Sequence, residues 1–205
     1  MSALVTAEGL GIEYGGRVVL SSVSLTVNRG DVLAVTGRSG SGKTTLLLAL
    51  AGLLKPSAGT VELDGGRVLY VPQAPSLIPE LTALENVMLA MRLHGADPDQ
   101  AEERSRAELA ALGVADAANA LPSELSGGMA QRTSLARGLA LDPAVLLVDE
   151  PTGSLDRATG ARVLGLLAAR ARDGFALVIA THDPEVAARA HRVLHLDDGR
   201  LEEAA

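Results

Sequence analysis

The chain of 205 residues has no cysteine and no tryptophan, and aromatic residues make up only 1% of it. Without cysteine, disulfides and thiolate metal sites are excluded, and the redox compartment stays unassigned. With so few aromatic residues, the core must consist of Leu, Val, Ile and Ala, which suits apolar strands covered by helices. A hydrophobic fraction of 47% at this length predicts one α/β domain with a sizeable core.

Basic residues are the minority among the charged ones, with 18 Lys and Arg against 25 Asp and Glu and a formal net charge of −7. Nucleic-acid binding needs clustered cations, so we expect no nucleic-acid partner. Residues 1–11 show no basic segment followed by an apolar run, so no signal peptide is predicted. The most apolar stretch, 46–54, is far shorter than the roughly 20 residues that cross a bilayer. We therefore expect a soluble protein whose role at a membrane depends on a partner.

Hydrophobic patterning predicts short strands that alternate with helices, which is typical of a mostly parallel sheet with helices on both faces. Within a single domain over 1–205, a helical segment at about 76–140 is interpreted as an inserted subdomain. Asp64-Gly65-Gly66 lies between two short apolar runs and predicts a hairpin-type turn. The predicted strands cover 18–27, 32–36, 60–63, 67–71, 145–148, 176–180 and 193–196, and the predicted helices cover 42–53, 82–113 with a break near 95–98, 126–141, 159–172 and 185–190.

A glycine-rich loop follows the predicted strand 32–36 and leads into a predicted helix. Residues 37–45 read GRSGSGKTT and match G-x-x-x-x-G-K-[ST], a loop whose backbone N–H groups surround a phosphate at a helix N-terminus. Lys43, one of only two lysines, would supply charge to the β- and γ-phosphates, and Thr44 would offer a hydroxyl to Mg²⁺. The motif alone does not choose between kinases, GTPases and motor ATPases. The candidate nucleotide ligands in this loop are Gly37, Ser39, Gly40, Ser41, Gly42, Lys43, Thr44 and Thr45.

Two adjacent carboxylates follow a second buried strand, in the segment VLLVDE at 145–150. Ligands of open α/β sheets bind at the carboxyl ends of the strands. Asp149 is therefore a candidate Mg²⁺ ligand, and Glu150 is a candidate to orient and polarise an attacking water. The alternative is an acidic pair in a loop that caps the next segment, but the phosphate loop in the same chain favours the catalytic interpretation.

A second candidate anion-binding end lies in the segment LSGGMAQR at 125–132, where Ser126-Gly127-Gly128 begins a predicted helix. Exposed N–H groups and a hydroxyl at a helix start suit a phosphate. On these residues alone, an ordinary helix N-cap is the favoured interpretation of Ser126. In a chain with one phosphate loop, a second such end is explained if it binds the nucleotide held by another copy.

These motifs, in this order, resemble those of the nucleotide-binding domains of ABC transporters along nearly the whole chain. GRSGSGKTT resembles their Walker A, VLLVDE their Walker B and LSGGMAQR their signature. The remaining matches are Tyr14 at the adenine-stacking position, Gln73 in YVPQ as the Q-loop, Ser154 to Asp156 as the D-loop and His182 in ATHD as the H-loop. Together the motifs are far more specific than any one of them.

The resemblance implies a P-loop NTPase fold with a small antiparallel β-subdomain and an inserted helical subdomain. It also implies a head-to-tail dimer that encloses two ATP molecules with Mg²⁺. Each nucleotide would be bound by Lys43, Thr44 and Thr45 in cis and by Ser126, Gly127 and Gly128 in trans. Glu150 would be the catalytic base, His182 would hold the γ-phosphate, Gln73 would sense Mg²⁺ and water, and Asp156 would couple the two sites.

Each of three matched residues has a simpler alternative. Tyr14 could be a half-buried structural aromatic, Gln73 a solvated turn residue after Pro72, and His182 a residue at the start of a helix. The other histidines match no motif and are interpreted as structural or exposed.

PTGSLD at 151–156 and the run after His182 resemble the lipoprotein-release and macrolide-efflux group, although importers share much of this pattern. Three features depart from the group: Met129-Ala130 after the two glycines, His191 where Asp is common, and a short segment between Lys43 and Gln73. Exposed apolar residues at Leu77, Ile78 and Leu81 either contact a membrane partner or pack inside the helical subdomain.

The resemblance therefore implies the ATPase subunit of a transporter, placed at the cytoplasmic face of a membrane by a separate integral-membrane subunit. Its dimer would be a homodimer or a heterodimer with a related ATPase. The alternatives are a mechanical switch that moves no substrate, a cytosolic ATPase, and a nucleotide-binding scaffold that hydrolyses poorly. The length and single phosphate loop count against the cytosolic types, and the presence of Glu150 and His182 counts against the scaffold.

Overall fold

The computed structural model describes residues 3–203, which form two compact units. The first unit comprises the chain up to Tyr70, Ala144–Glu150 and the chain from Leu164 onward, and the second comprises Val71–Pro143 and Pro151–Val163. The strands are β1 (Ala3–Tyr14), β2 (Arg17–Asn28), β3 (Val32–Thr36), β4 (Ala58–Leu63), β5 (Val68–Val71), β6 (Val145–Asp149), β7 (Ala176–Ala180), β8 (Arg192–Asp197) and β9 (Arg200–Glu203). The helices are α1 (Lys43–Leu50), α2 (Ala83–Leu93), α3 (Pro98–Ala111), α4 (Gly127–Leu139), α5 (Arg157–Asp173) and α6 (Pro184–Ala187), with 3₁₀ turns at Ala115–Ala117 and Pro122–Glu124.

The main sheet has six strands in the order β5-β6-β7-β3-β8-β9. β3 pairs in parallel with β7 and β8, and β6 pairs in parallel with β7. β9 pairs with β8 in the antiparallel direction. β7 is an uninterrupted apolar run, as are β3 before Thr36 and β6 before Asp149, and all three strands are buried almost throughout. Because a strand covered on both faces must be apolar at every position, these runs specify the centre of the sheet. The predicted α/β fold with a mostly parallel sheet is confirmed.

A second, antiparallel sheet of three strands has the order β2-β1-β4. Val5 of β1 pairs with Val27 on one side and with Leu63 on the other. Residues from both sheets share one apolar core with Leu46, Leu47 and Leu50 of α1. Since α1 is anchored in this core, the glycine-rich loop before it is held at both ends by buried structure.

Two features of the antiparallel sheet differ from the strand predictions. β1 lies outside the predicted strands because Gly9, with φ of 56°, and a register shift between Ala7 and Leu10 interrupt the two-residue alternation. The hairpin predicted at Asp64-Gly65-Gly66 is wrong, since β4 pairs with β1 while β5 joins the main sheet. Gly65 and Gly66, with φ of 75° and 93°, turn the chain from one sheet to the other. The predicted helix 42–53 also ends earlier, at Leu50.

The second unit contains α2, α3 and α4, which pack against one another. The helical pattern predicted over 82–113 resolves into α2 and α3, and Asp97 caps α3 just before Pro98. Buried Asn86 of α2 donates to the carbonyls of Ile78, Leu81 and Thr82, and so fixes the loop before the helix. Over residues 3–203, every helix is too short or too polar to cross a membrane.

Candidate active site

Two glycines of the loop between β3 and α1 have a backbone that leaves no room for a side chain. Gly37 has φ of 151°, and a Cβ there would lie 2.3 Å from the carbonyl oxygen of Leu196. Gly42 has φ of 106° at the N-cap of α1, where a Cβ would meet Val19 at 3.2 Å. The loop is therefore pressed against β8 and β2, which keeps its path constant and leaves the start of α1 available to an anion.

The side chain of Lys43 closes the loop by hydrogen bonds to backbone carbonyl groups at the loop's start. Its Nζ donates to the carbonyl oxygen of Gly37 at 2.8 Å and to that of Arg38 at 3.0 Å, and only 8% of the residue is exposed. The buried Oγ of Ser41 has no hydrogen-bond partner within the described residues. An ammonium group and an unsatisfied hydroxyl at a helix start are groups that a phosphate would engage. Thr45 is half-buried beside exposed Thr44, and Ser39 and Gly40 are exposed at the top of the loop.

Thr44 and Asp149 meet where α1 begins and β6 ends. The hydroxyl of Thr44 donates to Oδ2 of Asp149 at 2.5 Å, and Asp149 is buried. A hydroxyl and a carboxylate are the hard oxygen ligands that Mg²⁺ prefers, usually with water and substrate phosphates. Residues 3–203 contain no group of three or more His, Asp or Glu side chains that could hold a metal. A metal at this corner would therefore depend on ligands from the nucleotide.

Tyr70 of β5 is a site residue that the sequence analysis missed. Its hydroxyl donates to the same Oδ2 of Asp149 at 3.3 Å. Burial, followed by the charge and hydrogen bond of Asp149, raises the pKa of Tyr70 to about 12. The available signal was weak: Tyr70 is one of only two tyrosines and lies on a short strand three residues before Gln73.

The raised pKa predicts an alkaline loss of stability that depends on Tyr70. The pKa of Tyr70 is higher in the folded chain than the usual value of 10.0. The neutral Tyr70 hydroxyl therefore contributes fully to the free energy of unfolding below pH 10, and this contribution is lost as the pH rises toward 12. Tyr70→Phe should therefore lose less stability than the parent between pH 9.5 and 11.5, as followed by urea unfolding. Tyr14→Phe, which changes the other tyrosine, is the matched control and should keep the parent's slope. Identical slopes for Tyr70→Phe and the parent would contradict the prediction.

Glu150 and His182 lie just beyond the neighbouring strands β6 and β7 and contact each other. Nδ1 of His182 lies 2.7 Å from Oε1 of Glu150, and the backbone N–H of His182 donates to the same oxygen at 3.1 Å. Because an ionised carboxylate only accepts, Nδ1 carries the proton and Nε2 is left for another partner. Glu150 is 9% exposed and has φ of 46°, whereas the side chain of His182 is 73% exposed. A strained backbone at a buried carboxylate is typical of a functional position.

A cavity of about 650 Å³ lies beside the glycine-rich loop. Tyr14, 49% exposed, is one wall, and the loop residues Gly40 and Ser41 are another. This arrangement suits a nucleotide whose base stacks on the ring of Tyr14 and whose phosphates point to the loop. The sequence analysis did not include the other lining residues, which are Arg17, Val18, Val19, Asp198 and Gly199.

Removal of the ring should expose the contribution of Tyr14. We expect Tyr14→Ala to weaken ATP binding by roughly 1–3 kcal/mol, the magnitude of base–aromatic stacking. Isothermal titration with ATP measures the change, and Tyr14→Phe should keep the parent affinity because it retains the ring. Unchanged affinity in Tyr14→Ala would make Tyr14 a structural residue.

The predicted signature residues lie in the second unit at the start of α4. Ser126 is the N-cap, and its hydroxyl accepts from the backbone N–H of Met129 at 3.2 Å. Ser126 and Gly127 are exposed. A Cβ on Gly128 would lie 3.0 Å from the carbonyl oxygen of Ser154, so glycine is needed for this close packing. Capping thus describes Ser126 within this chain, while a contact to a second copy's nucleotide stays a prediction.

The remaining predicted site residues of the second unit are Asp156 and Gln73. Asp156 caps α5 by accepting from the backbone N–H of Thr159 at 3.0 Å, and the bonds from Thr159 lower the pKa of its carboxyl group. Gln73 is exposed in the loop after β5. Ile78 is 38% exposed and its neighbours Leu77 and Leu81 are half-buried, so both interpretations of this apolar group stay open.

Comparisons with known proteins identify close relatives. The family model described as "ABC transporter" matches residues 20–153. The "Lipoprotein-releasing system ATP-binding protein LolD" of Bordetella pertussis is 45% identical over 201 residues, which are 90% of this chain and 87% of that protein. The "Macrolide export ATP-binding/permease protein MacB 1/2" of Paracoccus denitrificans is 40% identical over 218 residues. That match covers 97% of this chain, which spans only 33% of the MacB protein.

Solved structures of ATP-binding cassettes have the same fold. The dimeric structure of the bacterial ABC transporter cassette MJ0796 has a TM-score of 0.90 and 32% identity, over 97% of this chain and 96% of that one. A dimeric post-hydrolysis state of MJ0796 bound to ADP and Pi has a TM-score of 0.89 and 32% identity, over 98% of this chain and 97% of that one.

Proposed function

The chain belongs to the ABC transporter family as an ATP-hydrolysing subunit, and we propose that it drives a separate integral-membrane partner of the lipoprotein-release type. ABC cassettes bind ATP or ADP, and this chain is the ATPase motor of a transporter. We further propose which residues bind ATP and Mg²⁺, how two copies assemble, and which kind of partner the chain drives.

The contact of Glu150 with His182 is the single observation that carries the catalytic part of the proposal. Both residues follow strands of the main sheet, at the edge where open α/β sheets bind ligands. Thr44 contacts Asp149 in the same unit, and Asp149 directly precedes Glu150. A nucleotide-binding scaffold would need no buried carboxylate paired with an exposed imidazole.

ATP binding would redirect Lys43 from the carbonyl groups of its own loop to the β- and γ-phosphates. The N–H groups at the start of α1 and the hydroxyl of Ser41 would bind phosphate oxygens. The oxygen atoms of Thr44 and Asp149 fit Mg²⁺, which when bound neutralises charge that develops on the phosphates. Gln73 would complete this set from the loop after β5.

Glu150 would accept the proton of the attacking water, since Oε2 of its carboxylate accepts a hydrogen bond from Thr181 and has a second lone pair to offer. His182 would donate from Nδ1 to Glu150 and from Nε2 to the γ-phosphate as an imidazolium, since only the doubly protonated ring has a donor on both nitrogens. The imidazole would thereby orient the base and the phosphate at the same time.

Ser126, Gly127 and Gly128 would bind the γ-phosphate held by a second copy in a head-to-tail dimer. The exposure of Ser126 and Gly127 at the start of a 13-residue helix supports this role, as do the dimeric structures of MJ0796. Asp156, which is exposed in the loop after Glu150, would couple the two sites. A homodimer contains two complete sites, so a related second ATPase is not required, although a heterodimer is compatible with the same contacts.

The partner would hold the chain at the cytoplasmic face of a membrane. The name of LolD describes an ATP-binding protein of a lipoprotein-releasing system, and that of MacB describes an ATP-binding protein joined to a permease. We therefore propose a lipoprotein or another lipid-linked molecule as the cargo. The net charge of −7 supports a protein partner over nucleic acid.

Capture of the ATP-bound form from native membranes tests the partner. Tagged Glu150→Gln protein with ATP should retain a stoichiometric integral-membrane protein in mild detergent, identified by mass spectrometry. The Lys43→Ala/Glu150→Gln double variant, which should not bind ATP, is the matched control. The isolated pair is then reconstituted with a labelled lipoprotein. Release of that lipoprotein with ATP supports the transporter, hydrolysis without release favours a mechanical switch, and capture of a soluble complex contradicts a membrane partner.

A further inference from the structure

Thr181, between β7 and His182, is a buried residue with a hydroxyl directed to Glu150. It is 0% exposed, and its Oγ1 donates to Oε2 of Glu150 at 3.3 Å. Oγ1 of Thr181 itself accepts from the backbone N–H of Asp183 at 3.0 Å. A hydroxyl has one proton, and an N–H group can only donate to it. The proton of Thr181 is therefore available to the carboxylate of Glu150.

The two oxygens of Glu150 have separate partners. Oε1 accepts from the backbone N–H and from Nδ1 of His182, whereas the bond described for Oε2 comes from Thr181. The side chain of His182 is mostly exposed and has room to move, whereas Thr181 is buried and has no such freedom. Thr181 is thus the stationary contact of the two.

The backbone of Thr181 is also fixed to the strand before the glycine-rich loop. Its N–H donates to the carbonyl oxygen of Val35 in β3 at 2.9 Å. The N–H of Glu150 in turn donates to the carbonyl oxygen of Ala180, one residue before Thr181. These bonds keep the hydroxyl at a constant position relative to both the loop and the carboxylate.

We propose that Thr181 is a positioning residue for hydrolysis, and that its hydroxyl sets the orientation of the Glu150 carboxylate. The proposal rests on the role of Glu150 as base in the proposed function. A base must present a lone pair to the proton of the water, and small errors in this geometry slow the reaction strongly. With Oε2 bound to Thr181, rotation of the carboxylate plane is restricted before and during the proton transfer.

Substitutions that separate the hydroxyl from its volume test this role. Thr181→Val keeps the branched shape, and kcat should fall about tenfold or more because a hydrogen bond to a charged group is lost. The KM for ATP should change less than about twofold, since binding energy at the phosphates is retained. Thr181→Ser restores the hydroxyl and should recover most of kcat. Thr133→Val is the control for the loss of a buried threonine hydroxyl away from Glu150. Thr133 is fully buried in α4, and its hydroxyl donates to the carbonyl of Met129 in the same helix.

A double-variant cycle distinguishes this proposal from the one on which it rests. In Glu150→Gln protein, Thr181→Val should cause little further loss, because both changes act on the same group. Parent turnover in Glu150→Gln would refute the base and the proposed function with it. Slow Glu150→Gln with parent kcat in Thr181→Val would overturn only the role of Thr181. Equal losses in Thr181→Val and Thr181→Ser would assign the effect to packing and would also overturn it.

Discussion

Glu150→Gln should lower ATP turnover by about 10²- to 10⁴-fold, the range that a general base contributes. Glutamine has the same shape, but its amide cannot accept a proton from water. The amide also cannot satisfy donors on both of its atoms, because the partners of Glu150 on Thr181 and His182 are all donors. ATP should still bind, since Lys43 and the loop are unchanged. The protein should therefore accumulate as an ATP-bound dimer, measured by phosphate release and by light scattering after size-exclusion chromatography.

The control for this substitution is Glu202→Gln, which makes the same change of charge at an exposed position of β9. It should hydrolyse ATP at the parent rate and should form no stable dimer. A Glu150→Gln protein that stays monomeric and hydrolyses ATP normally would show that another group is the base.

Lys43→Ala should weaken ATP binding by about 100-fold or more, because charge-assisted bonds to two phosphates are lost together. Lys43 is almost buried and directed across its own loop to the carbonyl groups of Gly37 and Arg38. The same substitution removes both of these bonds, so we also expect a slightly lower Tm without nucleotide. Titration calorimetry with ATP measures the affinity, and a thermal melt without ATP measures the effect on the loop.

Lys55→Ala is a direct control, because Lys55 is the other lysine of the chain and is exposed. It should bind ATP as the parent does. If Lys43→Ala retained the parent affinity while its Tm fell, Lys43 would be a structural residue of the loop, and the phosphate contact would have to come from another group.

The nucleotide loop and the buried strands could be predicted because their causes are local. The loop needs glycine at Gly37 and Gly42 for backbone reasons, and it needs Lys43 at the start of a helix. β7 is apolar at every position, and β3 and β6 are apolar up to their last residues, Thr36 and Asp149, because both faces of these strands are covered. Resemblance to a family then supplied roles for Gln73 and Asp156 that no local pattern would have indicated.

Pairing between distant segments could not be predicted in the same way. The pattern around Asp64-Gly65-Gly66 is that of a hairpin, yet the two flanking strands belong to different sheets. β1 was missed because its bulges interrupt the alternation that identifies a strand. In both cases the outcome depends on which partner strand is available, and adjacent residues carry no information about that choice.

The sequence was sufficient for the α/β class and the family, since strand and helix patterns and motifs are read directly along the chain, and the roles of the glycine-rich loop and the carboxylate pair stay predictions. The partners of the carboxylates were established by the fold. Tyr70 reaches Asp149 across 79 positions and Thr181 reaches Glu150 across 31, and neither contact has a spacing that a motif could describe. The physical reason is that parallel strands place their carboxyl ends side by side whatever the length of chain between them. Residues remote in sequence therefore share one edge of the sheet, where we propose that ATP is hydrolysed.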